Sequence, residues 1–250
     1  CRRRRRSQSA AAAVAHAAVT HHRGVASPER RCSNRTGGRA TEHPAFGRLG
    51  ERCVEEGIHR VTVSTHGLRF LKEEKLLARL AQLGARIVLS FDSFEAGTNQ
   101  QMLGGNFLEG KMRVLELLEK YQVETTLLPV LARGVNDHEV GKFVELALAK
   151  DFIRSVELHT MTFTGHNGAT FDPAGRYTTP DVLRDLERQP AGTLRVSDFV
   201  LSPAAHPLCY LVTYALLLAA GRLLPFPRSV PGRDEGRAAL AAGVRTFAVA

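Results

Sequence analysis

Hydrophobic and polar positions keep a recognisable period from about residue 45 to residue 190, and the period switches repeatedly between helix-like and strand-like. Residues 45–56 place Phe46, Leu49, Cys53 and Val54 on one face, which predicts a helix. Arg60–Ser64 alternates through Val61 and Val63 and predicts a strand. Lys72–Leu83 repeats Leu76, Leu77, Leu80 and Leu83 at helical spacing, and Ile87–Phe91 is a short run suited to a strand covered on both faces. Residues 106–121 carry Leu108, Met112, Leu115 and Leu118 on one helical stripe. Val123–Leu131 predicts the next strand, and Asn136 or Asp137 can cap a helix running to about Lys150. Ser155–Phe163 predicts another strand, and Thr179-Pro180-Asp181 marks a helix start. Strand starts near 60, 86, 123 and 155 lie 26, 37 and 32 residues apart, the spacing of βα units and hence of parallel strands. An open sheet and a barrel both satisfy that spacing, and both bind ligands at the carboxyl ends of their strands.

Composition changes the picture at the chain's beginning. The formal charge is +9, and residues 1–40 hold ten arginines against the single acid Glu29, so the remaining residues are neutral. That excludes a basic nucleic-acid surface on the folded body. Residues 1–35 are low in complexity, predict no element and are expected to be disordered, with order beginning near Thr36. A chain starting at Cys1 reads as a fragment. Four scattered cysteines (Cys1, Cys32, Cys53, Cys209) with no CxxC pair fit a reducing, cytoplasmic compartment better than a disulfide scaffold. The apolar run from Leu208 to Gly221 is short of the ~20 residues that span a bilayer, so no transmembrane segment is expected and the run reads as a buried or interfacial helix.

Candidate chemistry gathers where the strands end. The clusters are Thr36-Gly37-Gly38-Arg39-Ala40-Thr41-Glu42-His43-Pro44, Ser64-Thr65-His66-Gly67, Ser90-Phe91-Asp92-Ser93, Ala132-Arg133-Gly134-Val135-Asn136-Asp137 and Thr162-Phe163-Thr164-Gly165-His166-Asn167-Gly168. Each alone is ordinary loop chemistry. Five in register point to a polar small-molecule site. Glu157 and His159 share one side of their strand, which suits either a barrel interior or a hydrogen-bonded core pair.

The order GG-x-x-TEHP, STHGLR, LSFD and LxxGVND resembles the radical S-adenosylmethionine (radical SAM) superfamily. That resemblance implies a partial (β/α)6-type barrel of parallel strands over residues 36–190, here missing its first strand, with a C-terminal helical extension over 191–250. The later segments Asp172–Asp181, Asp198-Phe199 and His206-Pro207-Leu208-Cys209 resemble the subgroup similar to tetraether-lipid synthases, which implies a lipid substrate. By the resemblance, S-adenosylmethionine would lie against Gly37, Gly38, Thr65, Ser90 and Asp92, with Arg133 and Asn136 contacting its carboxylate or ribose. A [4Fe–4S] cluster would sit beside it, reduce the sulfonium and release a carbon radical for hydrogen abstraction.

Departures from that pattern matter. No CxxxCxxC loop occurs in these residues, and Cys1 stands near where the last cysteine of such a triplet is expected. The family's GGEP acid is replaced by Arg39, which cannot accept hydrogen bonds from an amino group, and the amide of its TNG loop is replaced by His66. These changes imply that the 250 residues alone are inactive. Two other readings remain at this stage: a non-catalytic barrel that binds a small molecule, and an unrelated barrel enzyme that holds phosphate on the Gly67 and Gly134 loops.

Overall fold

The structure is a computed structural model. It describes residues 32–35, 41, 46–55, 58, 60–163, 171–189, 194–202, 210–218, 223–226 and 244–250. Cys1, Gly37, Gly38, Arg39, Cys209 and the end of the Thr162–Gly168 cluster lie outside that set.

The first described strand, β1 (Cys32–Arg35), falls in a segment whose sequence shows no period. It is ordered by its neighbour, pairing in parallel with β2 (Arg60–Thr65). Helix α1 (Phe46–Glu55) connects them. Next come α2 (Glu74–Gln82), β3 (Arg86–Ser90), α3 (Ala96–Leu103), α4 (Leu108–Lys120), β4 (Thr125–Leu128) and β5 (Val130–Leu131). They are followed by α5 (Val140–Ala149), β6 (Ile153–Thr160), α6 (Thr179–Arg188), β7 (Val200–Leu201), β8 (Leu211–Leu217), β9 (Leu223–Pro225) and β10 (Val244–Val249). The strand order is β1-β2-β3-β4-β6-β10-β8-β7, with β5 on β6 and β9 on β8. From β1 to β10 every pairing is parallel; β8 then runs antiparallel to β10, β7 and β9. The sheet is α/β and not closed, as a partial barrel requires.

Alternation puts Val61, Val63, Ile87, Leu89, Leu127, Val156 and Leu158 on one face, in a core shared with Leu77, Leu80, Val114, Leu118, Phe143 and Val144 of the helices. Each such side chain contributes about 1.5–3 kcal/mol by leaving water. Arg154 is an extra residue: β4 registers Thr125 with Ile153 but Thr126 with Ser155, a bulge that resets the alternation of β6.

Several expectations are corrected. Within the run read as a helix near 208–221, Leu211–Leu217 form strand β8, and the described residues after 190 supply strands and short 3-10 turns rather than an α-helical extension. Its residues Val212, Ala215, Leu216 and Leu217 are buried, and β10 and β9 satisfy its backbone from both sides, which an apolar run without helical period can exploit. The strand expected over Val123–Leu131 breaks at Pro129, which has no N–H for the ladder. Asn136 and Asp137 do not cap α5, because a 3-10 turn over Asp137–Glu139 precedes it and Asn136 is drawn elsewhere. On α4 the buried stripe is Lys111, Val114, Leu115 and Leu118, while Met112 is exposed.

Candidate functional site

The other face of the sheet is lined by hydroxyls. Cross-strand register runs Ser64–Val88–Thr126–Ser155–Thr246–Tyr214, one row across six strands. Laterally paired residues share a face, so this row places five hydroxyl side chains side by side. They are half-buried or exposed, while their immediate neighbours Val63, Ile87, Leu127 and Val156 are buried on the helix side. Thr126 Oγ1 and Ser155 Oγ are hydrogen-bonded at 2.5 Å.

One step toward the carboxyl ends of the strands stands Glu157. Tyr210 donates its hydroxyl to Glu157 Oε1 at 3.1 Å, and His159 Nε2 lies 3.3 Å from the same oxygen. The His159 contact holds the Glu157 carboxyl below the usual carboxylate range against the opposing effect of burial. Burial, with the Glu157 charge behind it, pushes the Tyr210 phenol upward, so Tyr210 stays a donor. Of the two readings of Glu157 and His159, the structure favours the barrel interior: both side chains are part-exposed on the concave face.

The loops at the strand ends support this face from above. Thr41 is buried, its hydroxyl bonds Thr65 Oγ1 at 3.0 Å, and its carbonyl accepts from Arg69. Thr41 is thereby fastened to the STHGLR loop. After β3, Asp92 is buried: Oδ1 accepts Val130 N–H at 3.0 Å, and Oδ2 has no hydrogen-bond partner but lies 3.6 Å from Lys111 Nζ. Lys111 donates to the Ser90 carbonyl at 2.6 Å, and burial pushes its pKa down against the pull of Asp92. Asn136 is fully buried. Its Oδ1 accepts from Ala132 N–H at 2.8 Å, and its Nδ2 donates to the Asp92 and Val130 carbonyls at 2.7 and 2.8 Å. Glu139, also buried, accepts from Ser93 Oγ and from Phe94 N–H.

The residues singled out from sequence therefore divide. Ser90 lies at the end of β3 on the open side, while Thr65, in register with Leu89, ends β2 on the helix side with its hydroxyl engaged by Thr41 and the Gly67 N–H. Asp92 sits just beneath them. Asn136 has committed both amide hydrogens and its oxygen to backbone, so it positions loops and is not offered to a ligand. Arg133 turns away: it donates to the Arg176 carbonyl at 2.8 Å and Asp181 at 2.7 Å and lies over the Tyr177 ring. There it rims a cavity of about 130 Å³ walled by Leu131, Met161, Phe163, Phe171 and Tyr177. Lys111, Glu139 and Tyr210 were not legible as site residues. Lys111 alone left a trace, as a lysine four residues before Leu115 and three before Val114 on an apolar stripe.

Fit to the implied groups is unequal. The hydroxyl row and the strand-end Ser90 suit a polar molecule such as S-adenosylmethionine, whereas Asp92 Oδ2 is buried beside Lys111. Cys53, on α1, is buried in the apolar core and does not suit an iron–sulfur cluster, and Cys1 is outside the described residues. Phosphate binding on the Gly67 and Gly134 loops is not supported, since those amides donate to Thr65 Oγ1 and Asp137 Oδ2 at 3.0 and 2.9 Å. Glu95, His138 and Glu139 converge within 4.8 Å, but Lys142 Nζ already lies 3.4 Å from Glu139 and 3.8 Å from Glu95. No helix among the described residues is long and apolar enough to cross a membrane.

Comparison with known proteins agrees with this geometry. The chain is 28% identical over 217 residues to the 7,8-dihydro-6-hydroxymethylpterin dimethyltransferase of Methanocaldococcus jannaschii, a match covering 78% of this chain and 43% of that protein. The chain thus spans less than half the length of this relative. Among solved structures, Streptococcus suis SuiB bound to S-adenosylmethionine superposes with a TM-score of 0.50 at 16% identity, over 63% of this chain and 33% of that one. Native anSMEcpe with bound AdoMet and Kp18Cys peptide gives a TM-score of 0.48 at 18% identity, over 63% and 45%. The family model of the Radical SAM superfamily matches residues 25–147, the segment that runs from β1 into α5 and carries the loops after β2, β3 and β5.

Proposed function

We propose that this chain forms the S-adenosylmethionine-binding half-barrel of a radical enzyme that modifies a polar heterocycle, in the manner of the pterin dimethyltransferase it resembles. The observation that carries the reading is the hydroxyl row with Glu157 above it, a concave face built to hydrogen-bond and not to pack against hydrocarbon. The lipid substrate implied by the likeness to tetraether-lipid synthases gains no support from the apolar run near 208–221, whose residues Leu211–Leu217 form strand β8 with Ala215 and Leu217 in the core.

Ser90, on the open face, is the group proposed to receive the cofactor together with Gly37 and Gly38, and Thr65 at the end of the adjacent strand fastens Thr41 and the Gly67 turn beside it. Asp92, Lys111, Asn136 and Glu139 hold the β3 loop rigid beneath it, so that the cofactor's donors and acceptors meet fixed partners. Bound there, S-adenosylmethionine supplies the activated carbon that is transferred or that abstracts hydrogen.

Calorimetric titration of the full chain with S-adenosylmethionine tests the reading. Binding is expected, weakened by Ser90→Ala and Thr65→Val, with Arg133→Ala having little effect. Absence of binding by the folded chain overturns the cofactor assignment. Tighter binding of a glycerol-ether lipid than of a pterin would select the lipid substrate instead.

A further inference from the structure

Glu157 is a half-satisfied carboxylate on the concave face. One oxygen, Oε1, accepts the Tyr210 hydroxyl, and His159 Nε2 lies 3.3 Å from it at ion-pair distance without a hydrogen bond. The second oxygen has no partner among the described residues, and no described lysine or arginine lies within ion-pair distance of the carboxylate. The side chain retains 27% of its exposure, so it is neither a sealed core pair nor a solvated surface acid. A core pair would be saturated, as Glu139 is, and a surface acid would not be clamped by a phenol. Ser155, two residues before it, and Thr246 and Tyr214 in the adjoining row add hydroxyls that can donate or accept.

Resting on the reading that the substrate is a polar heterocycle, we propose that Glu157, clamped by Tyr210 and His159, is the substrate-recognition carboxylate of this barrel, and that it takes a flat ring presenting two adjacent N–H donors, a cyclic acylguanidine or amidine edge. A carboxylate with one oxygen fixed and the other open matches such an edge bidentately, in the way it matches a guanidinium fork. Neighbouring hydroxyls then read the ring's carbonyl and ring nitrogens, and Val88 in the same row offers it an apolar contact.

The test uses the full chain and two fluorescent probes. 6-Hydroxymethylpterin carries a lactam N–H beside a 2-amino group; 6-hydroxymethyllumazine carries a carbonyl oxygen in place of that amino group. The pterin is expected to bind at least about ten-fold more tightly, the difference of one charge-assisted hydrogen bond. Glu157→Gln is nearly isosteric and is expected to abolish that preference while leaving a cooperative melting transition, at a slightly lower temperature, and S-adenosylmethionine affinity in place. Tyr210→Phe is expected to reduce the preference without abolishing it. Equal binding of the two probes by the unmodified chain overturns the assignment, as does a preference that survives Glu157→Gln. Loss of S-adenosylmethionine affinity in Glu157→Gln equal to the loss of pterin affinity also overturns it, because the carboxylate would then serve the cofactor. Failure of the chain to bind S-adenosylmethionine at all strikes the cofactor reading and leaves the probe preference as a separate result.

Discussion

A single methyl group added at Gly67 combines two costs that a control elsewhere in the chain can separate. Gly67 has φ +79°, in the left-handed region, and joins β2 to the next turn. A Cβ there would come 2.6 Å from Val114 Cγ1 and 2.9 Å from Leu89 Cδ1, both inside the core. Gly84 has φ +63° and nothing within 4 Å of its would-be Cβ. Gly84→Ala therefore carries only the backbone penalty, about 1 kcal/mol. Gly67→Ala adds overpacking against two buried branched side chains, about 2 kcal/mol more, for a total of about 3 kcal/mol. For a chain of this size each kcal/mol moves Tm by roughly 2–4 °C, so thermal unfolding should fall by roughly 6–12 °C in Gly67→Ala and by roughly 2–4 °C in Gly84→Ala. Val114→Ala in the Gly67→Ala background should recover part of the difference by making room. Equal Tm losses for the two glycine variants would refute the close approach of α4 and β3 to this loop. The consequence for the site is direct, because Gly67 N–H is also the donor that holds Thr65 Oγ1.

Asp92→Ala should destabilise the chain by about 3–5 kcal/mol in urea unfolding, since it strands the buried Lys111 ammonium, and the double variant Asp92→Asn/Lys111→Met should restore much of that loss. Asn136→Ala should cost about 3 kcal/mol in urea unfolding, roughly one per lost backbone hydrogen bond, with S-adenosylmethionine affinity falling through loop disorder, and Asn136→Asp should not rescue either, because a carboxylate cannot donate to the Asp92 and Val130 carbonyls. The Glu157 carboxyl lies below its ordinary value of 4.5 in the fold, so it stabilises the native state above that pH and the contribution is lost as pH falls through the folded value. Glu157→Gln should accordingly flatten the decline in stability below about pH 4.5, and an unchanged acid limb would contradict the clamp. Lys111 is shifted down, so the unfolded chain binds its proton more readily between the folded value and 10.5, and stability contributed by this group should rise with pH across that window; Lys111→Met should remove the slope.

The sequence by itself determined the alternation of helices and strands, the parallel direction of the sheet and the pole at which the polar loops gather. These are local or short-range properties: a 3.6-residue or two-residue period needs only its own segment, and βα spacing leaves a strand little choice of direction. It also placed Thr65, Ser90 and Asp92 at that pole. What it could not show depends on which residues meet across long separations. Lys111 and Met112 are adjacent, and helical periodicity tolerates either on the buried stripe; only the Ser90 carbonyl and Asp92, reached through the packing of α4 on β3, draw the lysine in and leave the methionine exposed. The apolar run after residue 208 has no period to read, and it is a strand because β10, some 30 residues later in the chain, enters the sheet between β6 and β8. Asn136 had the look of a ligand contact or a helix cap, yet three backbone groups from two strand ends claim its amide. Tyr210 meets Glu157 across 53 residues of chain, and that meeting turned a strand residue of open meaning into a clamped carboxylate on a face of hydroxyls.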